Sequence, residues 1–127
     1  MNFWLALRVF IPFTLGYYLS SIYRTVNAVL APDLVRDLDI SASELGLLTS
    51  AFFISMVFLQ VPLGMVLDRY GPRRTSVLLM TLAVAGAALF ALADSAPGLF
   101  AGRALIGIGM ATGGMAAMTA FVKWFPP

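Results

Sequence analysis

The sequence predicts an all-α membrane protein, and three observations carry that expectation. Of its 127 residues 61% are hydrophobic and 11% charged, whereas a soluble domain carries about 25% charged residues. Its mean hydropathy is +0.93, and the apolar residues gather into four stretches. Each stretch is near or above the roughly 20 residues a helix needs to cross a hydrocarbon core about 30 Å thick. None alternates apolar with polar residues as a membrane β-strand would. Such a composition excludes a soluble enzyme, a nucleic-acid binder and a disordered tail.

The first predicted helix runs from about Trp4 to Ala31 and carries Arg8 and Arg24. It is longer than the roughly 7–15-residue core of a signal peptide, so it is expected to be retained. Pro32-Asp33 and the acidic run to Asp39 are expected to end it. Ser41 and Glu44, three positions apart, form a capping box that opens the second helix. That helix, about Leu45 to Leu67, holds no charged residue. Pro62 removes one of its hydrogen bonds and predicts a local bend. Gln60 is its one amide side chain, which either lines a substrate path or bonds a neighbouring helix.

The segment Asp68 to Arg74, with Gly71-Pro72, turns the chain into a third helix at about Ser76 to Ala93. A polar hairpin, Asp94-Ser95-Ala96-Pro97-Gly98, leads to a fourth at about Gly98 to Val122, with Arg103 near its start. The loops are short, so neighbouring helices are expected to be antiparallel. In lipid, helices associate by close packing and hydrogen bonds rather than by apolar burial. Gly109, Gly113, Ala116 and Ala120 supply a small-residue face for such contact. Ala83, Ala87 and Ala91 have the same spacing but are read as the ordinary abundance of small residues in membrane helices.

Charge is distributed unevenly. Arg8, Arg69, Arg73, Arg74 and Lys123 fall on one side with Asp68; Arg36 falls on the other with Asp33, Asp37, Asp39, Glu44 and Asp94. Five basic residues against one place the N-terminus, the 68–74 loop and the C-terminus in the cytoplasm, as in a bacterial-type inner (plasma) membrane. Trp4, Arg8 and Trp124 suit interface anchors. Tyr17, Tyr18 and Tyr23 suit packing or the interface as well as a cavity wall. The chain has no Cys and no His, so thiol nucleophiles, disulfides and imidazole metal sites are excluded. No phosphate-binding Gly-x-x-x-x-Gly-Lys-Ser/Thr loop occurs. No catalytic residue, metal or cofactor is expected.

One segment is more specific. Gly64-Met65-Val66-Leu67-Asp68-Arg69-Tyr70-Gly71-Pro72-Arg73-Arg74 joins a helix end, an acid, a glycine turn and a basic cluster. Gly64 permits close helix approach, and Asp68 is suited to pairing with the arginines or with a helix N-terminus. A topological anchor alone would need only the basic residues. The segment resembles the loop signature of the major facilitator superfamily of secondary transporters, Gly-x-Leu-Ala-Asp-Arg-x-Gly-Arg-Arg/Lys. Gly64, Asp68, Arg69 and Gly71 match, Val66 replaces Leu, and Pro72 takes the first basic position before Arg73 and Arg74. The lead-in Gln60 to Gly64, the helix-4 run Arg103-Ala-Leu-Ile-Gly107-Ile-Gly109 and the segment Lys123 to Pro127 resemble the family at the expected places. Ile106 departs from a usual Gln.

The resemblance implies twelve helices in two six-helix halves, with alternating access around a midplane site. It makes this chain the N-terminal portion, helices 1 to 4, whose partners are the lipid bilayer, a small-molecule substrate and the missing helices 5 to 12. Asp68 and its arginines would then belong to an inward-side latch, and Arg103 to proton coupling or helix locking. Tyr23-Arg24-Thr25-Val26-Asn27 resembles helix 1 of the anion:cation symporter and organophosphate antiporter branches, with Asn three rather than two positions after Arg. There the helix-1 Arg binds the anionic group, which makes Arg24 and Asn27 candidate substrate residues, beside Gln60 read above from its place in the second helix. An intramembrane charge costs about 2.5–3.5 kcal/mol on insertion scales. Arg24 therefore either faces a cavity or snorkels to the outer interface, and for Arg103 snorkelling is the stronger expectation. Two other functions fit the sequence less well: a truncated, non-transporting scaffold or partner, and a four-helix oligomeric transporter, whose membrane-embedded Glu is absent.

Overall fold

The computed structural model describes residues 3–124, and all regular structure among them is helical. Helix α1 spans Phe3–Leu38, α2 Ala42–Tyr70, α3 Pro72–Ala91, α4 Ala96–Met110 and α5 Thr112–Trp124. By length and composition three stretches among the described residues are able to cross a membrane: α2, α3 and the α4–α5 pair over 96–123. Helix α1 is longest at 36 residues, but its arginines, prolines and tyrosines leave it less apolar. It also continues past Pro32, where an end is expected from sequence. Its last turns are held because Leu34 packs with Ile40, Leu48 and Leu99 in a small core at that end of the bundle.

The helix junctions are set by local chemistry. Asp39 adopts a left-handed conformation (φ 53°), which short polar side chains tolerate. The Ser41 capping box then forms as expected. Glu44 N–H donates to Ser41 Oγ at 3.3 Å, and Ser41 N–H donates to Glu44 Oε2 at 2.8 Å. Between α2 and α3 there is one residue, Gly71, at φ 81°, ψ 160°, a region nearly closed to residues with a Cβ. Its N–H bonds Leu67 O at 2.9 Å. Pro72, which lacks an N–H, occupies the first turn of α3, where none is needed.

Helix α4 is the centre of the packing, closest to α3 and next to α2. The α3–α4 contact is backbone against backbone. A Cβ on Gly102 would stand 2.8 Å from Phe90 N, one on Gly86 2.8 Å from Ile106 N, and one on Gly109 2.5 Å from Ala83 N. These pairs run in opposite directions along the chain, so the two helices are antiparallel. Ala83 is thus a contact surface for Gly109 and not a neutral small residue. Gly107 presses equally closely on Phe52 and Ser55 of α2.

The Gly109/Gly113 pair does not form one face. At Ala111 the amide bonds Ile108 O, three residues back, at 3.3 Å, and the helix loses register there. A Cβ at Gly113 would meet Ser20 of α1 at 3.1 Å, whereas Gly109 faces α3. Gly64 has no atom within 4 Å of a Cβ position, so the close approach expected there is not made by any described helix. Around these contacts lies the main core, with Phe52, Met56, Leu63, Leu67, Leu79 and Ile106 among its members. The other faces are heavily apolar and open: Val61, Phe58, Leu92 and Met118 are each at least 74% exposed. Water would not tolerate such faces; in a bilayer they meet lipid or further protein.

The glycine contacts predict an asymmetry. Gly109→Ala should lower the stability of the protein in detergent by about 1–3 kcal/mol, because the added methyl overpacks a backbone contact. Gly114→Ala, where nothing lies within 4 Å, should be neutral or gain less than about 1 kcal/mol. Equal thermal shifts for the two variants would contradict this packing.

Candidate functional site

The two arginines inside the bundle have opposite surroundings. Arg103 is fully buried, so it does not snorkel. Its Nη1 donates to Tyr23 O of α1 at 3.2 Å. Its guanidinium carbon lies 5.0 Å from the centroid of the Phe52 ring and 5.9 Å from that of Phe90. Two aromatic faces therefore stand in for a counter-ion, although Nε and Nη2 have no hydrogen-bond partner among the described residues. The side chain connects α4 with α1, α2 and α3 at one level.

Arg24, one residue beyond Tyr23, is half-buried and has no such seat. Its Nη2 reaches Met56 Sδ at 3.9 Å, and a thioether is a weak acceptor. Its Nε is buried without a partner. The one ion pair among the described residues is Arg36–Asp37, exposed at the end of α1, so Arg24 pairs with no carboxylate. It lines a groove of about 250 Å³ between α1 and α2, with Asn27, Ala31, Leu45, Gly46 and Thr49. Asn27 is 5% exposed; its Nδ2 donates to Thr49 Oγ1 at 3.2 Å, and its Oδ1 has no partner. The volume lies below the about 300–1,000 Å³ of drug-sized sites and suits a small solute.

Two sequence candidates, Arg24 and Asn27, are thus brought together, one helical turn apart on one face. Gln60 is not: it is exposed on α2 and does not line the groove. A second groove between α1 and α5, lined by Phe10, Phe13, Tyr17 and Phe121 among others, has no charged residue in its walls. Tyr17 and Tyr18 are exposed, and Tyr23 packs on the main core.

The loop residues form a separate group. Asp68, Arg69, Arg73 and Arg74 are all exposed. Arg69 stands over the Tyr70 ring at 5.6 Å, and Asp68 makes no ion pair among the described residues. The side chain of Trp124 and all of Phe125, Pro126 and Pro127, part of the expected loop after the fourth helix, lie outside the described residues. Sequence reasoning missed Thr49, Phe52 and Phe90. Reflecting α1 onto α2 through the short loop near Ile40 pairs Arg24 with Met56 and brings Asn27 within a turn of Thr49, so the hairpin register held that signal.

The comparisons with known proteins agree with the loop motif. The family model of the Major Facilitator Superfamily matches residues 13–127. The chain belongs to this superfamily and is an all-α integral membrane protein. The particular relatives are transporters. It is 33% identical over 97 residues to a nitrate/nitrite transporter of Picosynechococcus, covering 76% of this chain and 18% of that protein. It is 30% identical over 112 residues to a probable sulfoacetate transporter of Cupriavidus necator, covering 88% and 26%. It is 30% identical over 113 residues to the hexuronate transporter of Escherichia coli, covering 89% and 26%. The chain thus spans about a quarter or less of the length of these relatives. No solved structure matches.

The aromatic seat predicts that position 103 distinguishes lysine from an uncharged chain. Arg103→Met removes a buried charge and should leave the melting temperature in detergent near wild type, since apolar replacement of a buried ion is often neutral. Arg103→Lys keeps the charge as a compact, strongly hydrated ammonium and should be the less stable variant. The reverse order would contradict the seat.

Proposed function

We propose that this chain is the N-terminal portion of a secondary transporter that moves a small organic or inorganic anion by alternating access, with Arg24 binding the anionic group. The observation that carries the reading is the groove: a guanidinium inside the bundle, without a carboxylate partner, beside Asn27 and Thr49. A cation placed there costs free energy unless an anion joins it. A planar guanidinium matches carboxylate, sulfonate and nitrate oxygens with two parallel hydrogen bonds. The three relatives are named for anionic solutes, which supports the same class.

Remaining features fit this reading. The exposed apolar faces of α2 and α5 offer surfaces for lipid and for further helices, as the greater length of the relatives suggests. The five-to-one bias of basic residues supports cytoplasmic termini in an inner (plasma) membrane. Asp68, exposed and without an ion pair among the described residues, is placed with Arg69, Gly71, Arg73 and Arg74 to meet a partner helix, as a latch between conformations would. The driving force would be an ion or solute gradient.

Two variants test the proposal in the protein made from its complete reading frame. Arg24→Lys keeps the charge but loses the fork, and should weaken substrate binding about ten-fold, the equivalent of one charge-assisted hydrogen bond. Unchanged affinity in a transport or binding assay would contradict the anion assignment. Asp68→Asn should reduce turnover with membrane insertion unchanged; wild-type turnover would reduce the loop to a topological anchor.

A further inference from the structure

Arg73 and Arg74 carry charge that no described residue answers. They stand in the first turn of α3, which holds no acidic residue, and neither makes an ion pair among the described residues. A helix N-terminus is the positive end of its dipole, so cations there add to charge already present. Gly71 alone separates α2 from α3, both long and apolar enough to span a membrane, so this turn lies at a membrane surface. Beyond the arginines the same face of α3 becomes apolar. Arg73, Arg74, Val77, Leu78 and Thr81 line an open groove of about 450 Å³. Positions 74, 77, 78 and 81 fall on one stripe, because steps of three and four residues return to one helix face. That stripe runs about 10 Å along the axis. Val77 and Leu78 are 60% and 62% exposed, and Thr81 Oγ1 bonds back to Leu78 O at 2.6 Å, which satisfies its polarity within the helix. The opposite face of α3 is already filled, with Leu79, Ala83 and Gly86 buried.

We propose that this face of α3 seats one anionic phospholipid, its phosphate held by Arg73 and Arg74 and the upper part of an acyl chain lying along Val77, Leu78 and Thr81. Charge complementarity selects the occupant. A guanidinium pairs with phosphate oxygens through two parallel hydrogen bonds, and basic residues beside a membrane span attract anionic lipid. A further protein helix on Val77 and Leu78 would also need carboxylates at the level of the arginines. A phospholipid carries its anion and its hydrocarbon in that order, parallel to the helix. The site shares no residue with the groove of Arg24 and does not depend on the solute bound there. It leaves Asp68 and Arg69, on α2, for the partner helix of the latch proposed above.

Phosphatidylglycerol and phosphatidylcholine, each bearing the same photoreactive diazirine near the carboxyl end of one acyl chain, test the site. Each probe is added at low fraction to phosphatidylcholine bilayers holding the protein from its complete reading frame, and crosslinks are mapped by mass spectrometry. In wild type, labelling at 77–81, relative to the rest of the protein, should favour phosphatidylglycerol about ten-fold or more, the combined effect of two arginines. Joint Arg73→Gln and Arg74→Gln replacement should bring the preference near unity. Raised salt should lower it in wild type, so the test stands if the double variant fails to insert. Arg69→Gln should keep it, since Arg69 stands over Tyr70 and outside the groove. Equal labelling by the two lipids, or a preference indifferent to salt and to the double replacement, would overturn the proposal. So would three other results: an equal loss in Arg69→Gln, the mark of a diffuse surface field; displacement of the label by free glycerol phosphate at constant ionic strength, the mark of a soluble-phosphate site; or no label from either lipid at 77–81, the mark of a face covered by protein.

Discussion

Helix α4 lies against its neighbours at backbone distance, and the rest of the bundle depends on that approach. Lipid tails are as apolar as leucine, so helices in a membrane gain little by hiding apolar surface from them. What holds them is dispersion between closely fitted surfaces and a few hydrogen bonds. Gly102, Gly107 and Gly109 on α4, and Gly86 on α3, remove the side chains that would keep the backbones apart. With α3 and α2 drawn in, Phe90 and Phe52 both come to lie against Arg103. Arg103 in turn reaches Tyr23 O and ties α1 into the same level. The groove that holds Arg24 and Asn27 is thus positioned through a chain of contacts that starts at glycines on another helix.

The contrast between the two interior arginines underlies the different roles proposed for them. Arg103 is a buried guanidinium with a carbonyl and two aromatic rings as its partners. One with a thioether at 3.9 Å has little to lose when an oxyanion replaces it. Bonds to charged groups are worth about 1.5–3 kcal/mol each, comparable to the insertion cost of the arginine itself. The anion binding proposed at Arg24 would offset that cost, whereas Arg103 has one carbonyl and two aromatic rings as partners, with Nε and Nη2 unpartnered among the described residues. Asn27 repeats the pattern on a smaller scale, with one end of its amide satisfied by Thr49 and the other left open.

Much of the fold was legible in the sequence because membrane helices obey few rules. Length and apolarity located the helices, the Ser41–Glu44 box located the start of α2, and Gly71-Pro72 located a turn that the structure reduces to one residue. The continuation of α1 to Leu38 was not legible, because it depends on Leu34 finding a distant core with Leu48 and Leu99. The shift at Ala111 was hidden for a similar reason: it turns Gly113 towards Ser20, although spacing alone puts Gly113 on the face of Gly109. At the site, the charge of Arg24 marked it from the outset. The burial of Arg103 was misread because an arginine near a helix end ordinarily snorkels; Phe52 and Phe90 look like any other core aromatics until the helices are packed.

Arg24, and not Arg103, is the residue proposed to present a guanidinium to the solute. Site-mapped modification of the purified protein with an arginine-selective dicarbonyl reagent, with and without a saturating small carboxylate, measures this directly. Arg24 should react and be protected by the anion, Arg103 should stay unmodified in both conditions, and exposed Arg69, Arg73 and Arg74 should react regardless. Reaction of Arg103 with anion-dependent protection there, or an Arg24 whose reactivity ignores the anion, would contradict it.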